Sequence, residues 1–310
     1  MKVGGRNYGF GHQFGWATRE ALKHYYGEGH FGTVKAHINR FNVFIQFLKP
    51  NGIRDARNVD LNVILDYGEY LNDLVADGEL KVSYAQNLIS SVNVSMNSLR
   101  GNSLLCVSPS ELVGFRSHIR TDIPLYIDYE DVLCRAHQLD RLHELAVSAM
   151  VRLARSLGLR FRECSLLDAV SAIRRALKDG RIWLTRGTKG GRDRWIPIVG
   201  DWQLESLDFA AEAQGRRKSL IQEGMNYRAW RNYAYGKLYS AGIKHFHDLR
   251  AAYACDRYLM ETGSLAPVLL DEGHQSLSRD LDRNARLRVS QELGHNRIDI
   301  LNSYIGSRKK

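Results

Sequence analysis

The chain has 310 residues, 44% of them hydrophobic, with 44 Lys and Arg against 34 Asp and Glu, which is room enough for two domains with cores of their own. No stretch approaches the roughly 18 apolar residues that a membrane span needs, and the opening MKVGGRNYGFGHQFGWATRE carries no apolar leader core, so the expectation is a cytoplasmic protein without membrane attachment. Cys106, Cys134, Cys164 and Cys255 lie far apart with no CxxC pair, against a zinc site or a disulfide framework, while the net charge of +10 favours a polyanion such as nucleic acid as partner.

The basic excess runs through the chain: residues 1–120 hold 13 Lys and Arg against 10 Asp and Glu, the remainder 31 against 24. Apolar residues recur at helical spacing first. The pattern predicts helices over 17–26, 33–48, 61–75 and 83–99, the last three closed by Asn51-Gly52, Asp77-Gly78 and Gly101. They form a small all-helical domain, taken as 1–105. A loop over 102–126 follows, with Pro109, Pro124 and the basic Arg116, His118 and Arg120. It reads as a linker, bounded at 106–126, ahead of a second domain over 127–310. There a helix is predicted over 142–157 with Gly158 as its stop. The stretch GRIWLTRGTKGGRDRWIPIV then places two β-rich arms, 182–185 and 195–199, about a Gly- and Lys-rich turn. Helices over 203–222, 226–241, 246–260 and 289–304 complete a mainly α fold with one small β-hairpin (α+β).

Several polar residues in this second part are candidates for chemistry. Lys189, Arg192 and Arg194 sit at or beside the hairpin tip, where cations would meet phosphates if the hairpin entered a groove; taken alone they make a solvated turn. In HFHDLR, His247 and Arg250 are three apart and share a helix face, enough to grip a phosphate or merely to form a surface pair. Arg160 follows a helix stop and Glu163 lies one turn on, within reach of a bidentate grip on its guanidinium. His295 and Tyr304, nine apart in LGHNRIDILNSYIG, face one site if two short helices join there.

The order Arg160, Glu163, Lys189, His247, Arg250, His295, Tyr304 resembles the tyrosine recombinase (phage integrase) family, through GLRxxE, the KGGRDRWIP hairpin, FHDLR and LGH-x8-Y. The resemblance covers about 140–305; the first half is similar to the family's helical, SAM-like core-binding domain in size and helicity alone. It implies a site-specific recombinase or integrase of a mobile genetic element that cleaves and rejoins DNA through a 3′-phosphotyrosine. In those terms Tyr304 is the nucleophile, and Arg160 and Arg250 balance charge on the phosphate. His295 hydrogen-bonds that phosphate, His247 assists proton transfer with Tyr304, Lys189 protonates the leaving 5′ oxygen and Glu163 orients Arg160. Arg116, Arg120, Lys189, Arg192 and Arg194 are the expected DNA contacts. No metal, ATP or other cofactor is expected. The implied partners are double-stranded DNA with specific recombination sites, three further copies in a homo-tetramer, and accessory DNA-bending proteins, with nucleoid association when DNA is bound. A type IB topoisomerase-like enzyme or a catalytically silent DNA-binding relative are the alternatives.

The sequence departs from the family pattern in three places. Ile300 and Leu301 stand where Thr-Thr is usual, six residues follow Tyr304, and Arg250 and His295 are 45 apart. The extra piece, about 262–288, offers Leu265, Val268, Leu269 and Leu270 and a charged helix candidate over 278–287. It is either an element that joins subunits or an excursion without a role.

Overall fold

A computed structural model describes residues 5–270, 277–295 and 297–308. The chain divides into two compact units, Met1–Ser117 and His118–Lys310. None of its described helices is long and apolar enough to cross a membrane.

The first unit is all-helical: α1 (Phe14–Tyr26), α2 (Phe31–Leu48), α3 (Leu61–Ala76), α4 (Val82–Arg100) and the short α5 (Pro109–Val113). Each long helix starts within three residues of its predicted position, because the apolar stripe and the stop signals agree. Asp60 caps α3 by accepting from the Val63 amide at 3.0 Å. Phe41 and Phe44 of α2, Tyr67 and Leu71 of α3, and Leu88, Ile89 and Val92 of α4 are buried together. The ring centroids of Phe44 and Tyr67 are 4.8 Å apart, an aromatic packing that adds to their area burial. Within the stretch read as a loop, Pro109 at its first turn starts α5, which packs on α3 and α4.

The second unit is built around α7 (Leu145–Leu157), buried along nearly its whole length and packed by α6 (Tyr129–Arg141), α10 (Asp201–Gln214) and α12 (Phe246–Thr262). The predicted helix over 142–157 begins three residues late, since His143 takes a left-handed φ of 56° in the turn between α6 and α7. Three elements go beyond the sequence reading: α6, α8 (Phe161–Leu166) and α9 (Ala169–Asp179). β1 (Arg181–Leu184) and β2 (Arg194–Pro197) pair antiparallel with Ile182 opposite Ile196 and Leu184 opposite Arg194. That register turns Ile182, Leu184, Arg194 and Ile196 inward and leaves Trp183 and Trp195 paired outside.

The helix expected over 226–241 is α11 (Tyr227–Ser240), while two other predicted helices are shorter in the structure. The one over 203–222 stops at Gln214, with Gly215 beyond it, and 215–222 run as turns. The one over 289–304 is three pieces: the end of α13 (Arg279–Glu292), a 3-10 turn at Ile298–Leu301, and α14 (Asn302–Ile305). Gly294, at φ 71°, turns the chain out of the helix. In the 262–288 piece, residues 271–276 lie outside those described. Val268 and Leu269 pack on a small core with Tyr258, Leu301 and Ile305, so they are not the free apolar patch expected of them. Leu265 alone of the four is exposed, and the charged helix candidate is part of α13.

Candidate active site

The second unit gathers its buried charge at one place, where the loop after α7, the start of α12, the hairpin, the end of α13 and α14 converge. Gly158 makes the first turn possible. It sits at φ 63°, and a Cβ there would meet the Tyr253 ring at 2.4 Å. Two residues on, Arg160 is the N-cap of α8, with its backbone amide donating to Glu163 Oε2 at 2.7 Å and its Nη1 to Glu163 Oε1 at 2.7 Å. Its Nη2 donates to the Leu293 carbonyl at 3.1 Å and meets His295 Nε2 at 3.3 Å.

Arg250 is fully buried, one turn into α12. It donates to the carbonyls of Gly158 and Leu293, and its Nε lies 3.4 Å from the Tyr304 hydroxyl. The Leu293 carbonyl, at the negative end of α13, therefore receives both arginines. Burial lowers the Arg250 guanidinium to about 10, so it stays charged at neutral pH.

Tyr304 is only 4% exposed. Its hydroxyl is 3.2 Å from His295 Nε2. Since Arg160 can only donate, Nε2 is the acceptor, which assigns the imidazole proton to Nδ1 and lets the tyrosine hydroxyl donate to the histidine. Asn302 fixes the turn that carries Tyr304: its carbonyl accepts from the Arg120 amide at 2.8 Å and its Oδ1 from Arg286 Nη1 at 2.8 Å. Ser290 holds the other side, its hydroxyl donating to the His295 carbonyl at 2.7 Å.

The electrostatics follow from four cations and one anion. Glu163 is completely buried, which alone would raise it, yet Arg194 first and then Arg250 and Arg160 hold it at about 2. Both histidines go the other way. Burial, then the charges of Arg250 and Arg160, push His295 down to about 4, and Lys189 adds to the effect. His247 is more exposed, yet the same causes, burial first and then Arg250 and Arg160, push it to about 4.

Seven residues singled out in the sequence can now be placed. Arg160, Glu163, Arg250, His295 and Tyr304 form one hydrogen-bonded cluster. His247 joins it by packing, its ring centroid 5.2 Å from that of Tyr304; the hydrogen bond to the hydroxyl goes to His295 instead. Lys189 is exposed on the hairpin turn, near enough for its charge to act on His295. Gly187 sets the base of that turn: at φ 80°, a Cβ there would lie 2.8 Å from the Arg162 carbonyl oxygen.

The expected DNA contacts divide. Arg116 and Arg192 are exposed. Arg120 is spent on Asp248, with two bonds of 3.1 Å, and on the Asp122 carbonyl. Arg194, expected at the cationic tip, is buried with its fork on Glu163 at 2.7 and 2.8 Å. Glu163 thus gives its bidentate face to Arg194, and one oxygen to the guanidinium of Arg160. The alternation of β2 carried this signal: Arg194 is on the inward face with Ile196.

Residues 127–256 match the model of the Integrase family. Among solved structures, the fold is similar to a lambda integrase dimer bound to a COC′ core site (TM-score 0.57, 17% identity, 93% of this chain and 95% of that one). It is also similar to a lambda integrase tetramer bound to a Holliday junction (0.55, 15%, 93% and 75%). A third is the XerH site-specific recombinase bound to a palindromic difH substrate (0.53, 15%, 89% and 77%). No curated protein sequence matches the chain. Over residues 127–256, then, the chain is similar to the Integrase family, and its fold is that of these solved recombinases.

Proposed function

We propose that the protein is a site-specific DNA recombinase that works through a phosphotyrosine on Tyr304. The observation that carries this is the Tyr304 hydroxyl, held between Arg250 Nε and His295 Nε2 beside the Arg160 guanidinium. A phosphodiester entering from the solvent side would meet Arg160 and His295 next to that hydroxyl. Tyr304 Oη attacks phosphorus, its proton passes to a histidine, and the 5′ oxygen leaves with a proton from Lys189. His295 is in hydrogen-bond contact and is the better placed acceptor, with His247 beside it. The arginines face the negative charge that grows on the non-bridging oxygens, and their fixed partners remove the need to reorganise as it grows. The transesterification conserves the ester, so the reverse step reseals a strand without ATP.

The same reading assigns the helical half (1–105) to holding DNA as a core-binding domain, 106–126 to the link and 127–310 to catalysis. Four copies on two duplexes would carry out strand exchange, for a mobile genetic element with accessory DNA-bending proteins. A nicked suicide duplex bearing the protein's recombination site tests the chemistry. Wild-type protein should yield a covalent DNA adduct that maps to Tyr304; an adduct on another residue, or none, rejects the assignment.

A further inference from the structure

We propose that Arg194 is a positioning residue for the strand-cleavage step: it ties Glu163 to the end of α13 and thereby aims Arg160. The inference rests on the recombinase reading above. Arg194 opens β2 beside the hairpin turn, its side chain turned inward and 5% exposed. Its Nη1 and Nη2 grip Glu163 Oε1 and Oε2 as a planar fork, and its Nε donates to the Glu292 carbonyl at 2.7 Å. Its aliphatic stem runs along Gly294, where an added Cβ would stand 3.0 Å from Arg194 Cδ.

Arg160 is held at two points, and Arg194 fixes both. Nη1 of Arg160 donates to Glu163 Oε1, whose direction is set by the fork. Nη2 donates to the carbonyl of Leu293, the residue after the one whose carbonyl Arg194 holds. Two residues beyond Leu293 is His295, the partner of Tyr304. A lysine at 194 would supply charge but neither the fork nor the Nε bond. Every described ionised group that faces Glu163 is cationic: Arg160 at the start of α8, Arg194 from the hairpin, Arg250 from α12; the buried Cys164 thiol adjoins it on α8. Without Arg194 the carboxylate loses its foremost stabilising partner, its proton affinity rises, and once protonated it releases Arg160.

The test compares wild type, Arg194→Lys, Arg194→Met and the paired Glu163→Gln/Arg194→Met, in which no lone buried carboxylate remains. DNA affinity, melting temperature and single-turnover adduct formation at saturating suicide duplex are measured from about pH 8 to about pH 6. Arg194→Met should keep its affinity within about threefold while the adduct rate falls about 10- to 100-fold. Its rate should fall further toward acid than that of wild type, a limb that the paired variant lacks. Arg194→Lys should recover less than half of the lost rate. A wild-type rate and pH profile in Arg194→Met overturns the inference, as does a loss of affinity equal to the loss of rate, which would make Arg194 a DNA contact. If Arg194→Met does not fold, Arg194→Lys decides: slow cleavage with intact affinity supports the role, and wild-type cleavage ends it. Wild-type protein that forms no adduct rejects the recombinase reading itself, and with it the step Arg194 is said to serve.

Discussion

The interior cluster and the hairpin turn hold the same kinds of residue under opposite conditions. Arg160, Arg194 and Arg250 are wrapped around Glu163 and the end of α13, with nearly every donor assigned a partner. Lys189 and Arg192, on the turn, are exposed. On the proposed recombinase mechanism, the difference separates two chemical duties. Stabilising developing charge favours dipoles and cations fixed beforehand, whereas a proton donor has only to arrive at the leaving oxygen when DNA is seated. Gly187 joins the two, since the turn's base rests on the Arg162–Glu163 backbone.

The largest expected effect is on the reacting atom. Tyr304→Phe should abolish adduct formation while DNA affinity changes little, because the variant removes one hydroxyl and no charge. A gel shift together with the suicide duplex checks both. An adduct formed by the variant would take the nucleophile out of the interior cluster altogether.

Next come the two sides of the comparison. Arg250→Met removes a buried, multiply bonded charge and should cost about 3–5 kcal/mol of stability along with nearly all cleavage. A thermal melt and an adduct assay read the two losses. Lys189→Ala should leave the melting temperature almost unchanged, within about 0.5 kcal/mol, and slow cleavage about 10²- to 10⁴-fold, the usual worth of a general acid. A 5′-bridging phosphorothiolate, whose sulfur leaves without a proton, should restore most of the Lys189→Ala rate and none of the Arg250→Met rate. Equal rescue of both, or of neither, would erase the division of labour.

Much of this arrangement was legible in the chain. The order of the motifs placed five of the seven candidate residues in one hydrogen-bonded cluster, and the long helices of the first half follow from apolar periodicity with clear stops. What was not legible depends on tertiary partners. α8 is six residues long, fewer than two turns, and cannot display a period. α6 buries only Val132, Ala136 and Leu139 among polar residues, a faint stripe. The chain around Gly294 reads as helix by its apolar spacing, yet it breaks, with both site arginines taking the Leu293 carbonyl. Arg194 was misread because a cation beside a hairpin tip suggests solvent; only the strand alternation, with Trp195 outward and Ile196 inward, points it toward Glu163.

The smallest effect sharpens the comparison through pH. In the folded protein His247 and His295 are both pushed to about 4 from an ordinary value of 6.5, so between those values the unfolded chain holds more protons than the native one. Stability therefore rises with pH across that window and falls as pH drops through 6.5 toward 4. Glu163, held at about 2 from 4.5, adds its own loss only below 4.5, where other carboxylates also titrate. The interval from about pH 6.5 to about pH 4.5 thus sets the histidines, with His37 of the first unit lowered by burial among them, apart from Glu163. Melting temperatures of the wild type should decline through it, and those of His247→Gln/His295→Gln should decline less, since two neutral side chains take no proton. Lys189→Ala should follow the wild type closely, because the turn lysine is a lesser cause of the His295 shift than burial, Arg250, Arg160 and Arg194. If Lys189→Ala flattened the slope as much as the double histidine variant, the hairpin turn would belong to the fixed cluster, and its proton donor would be in place before DNA arrives.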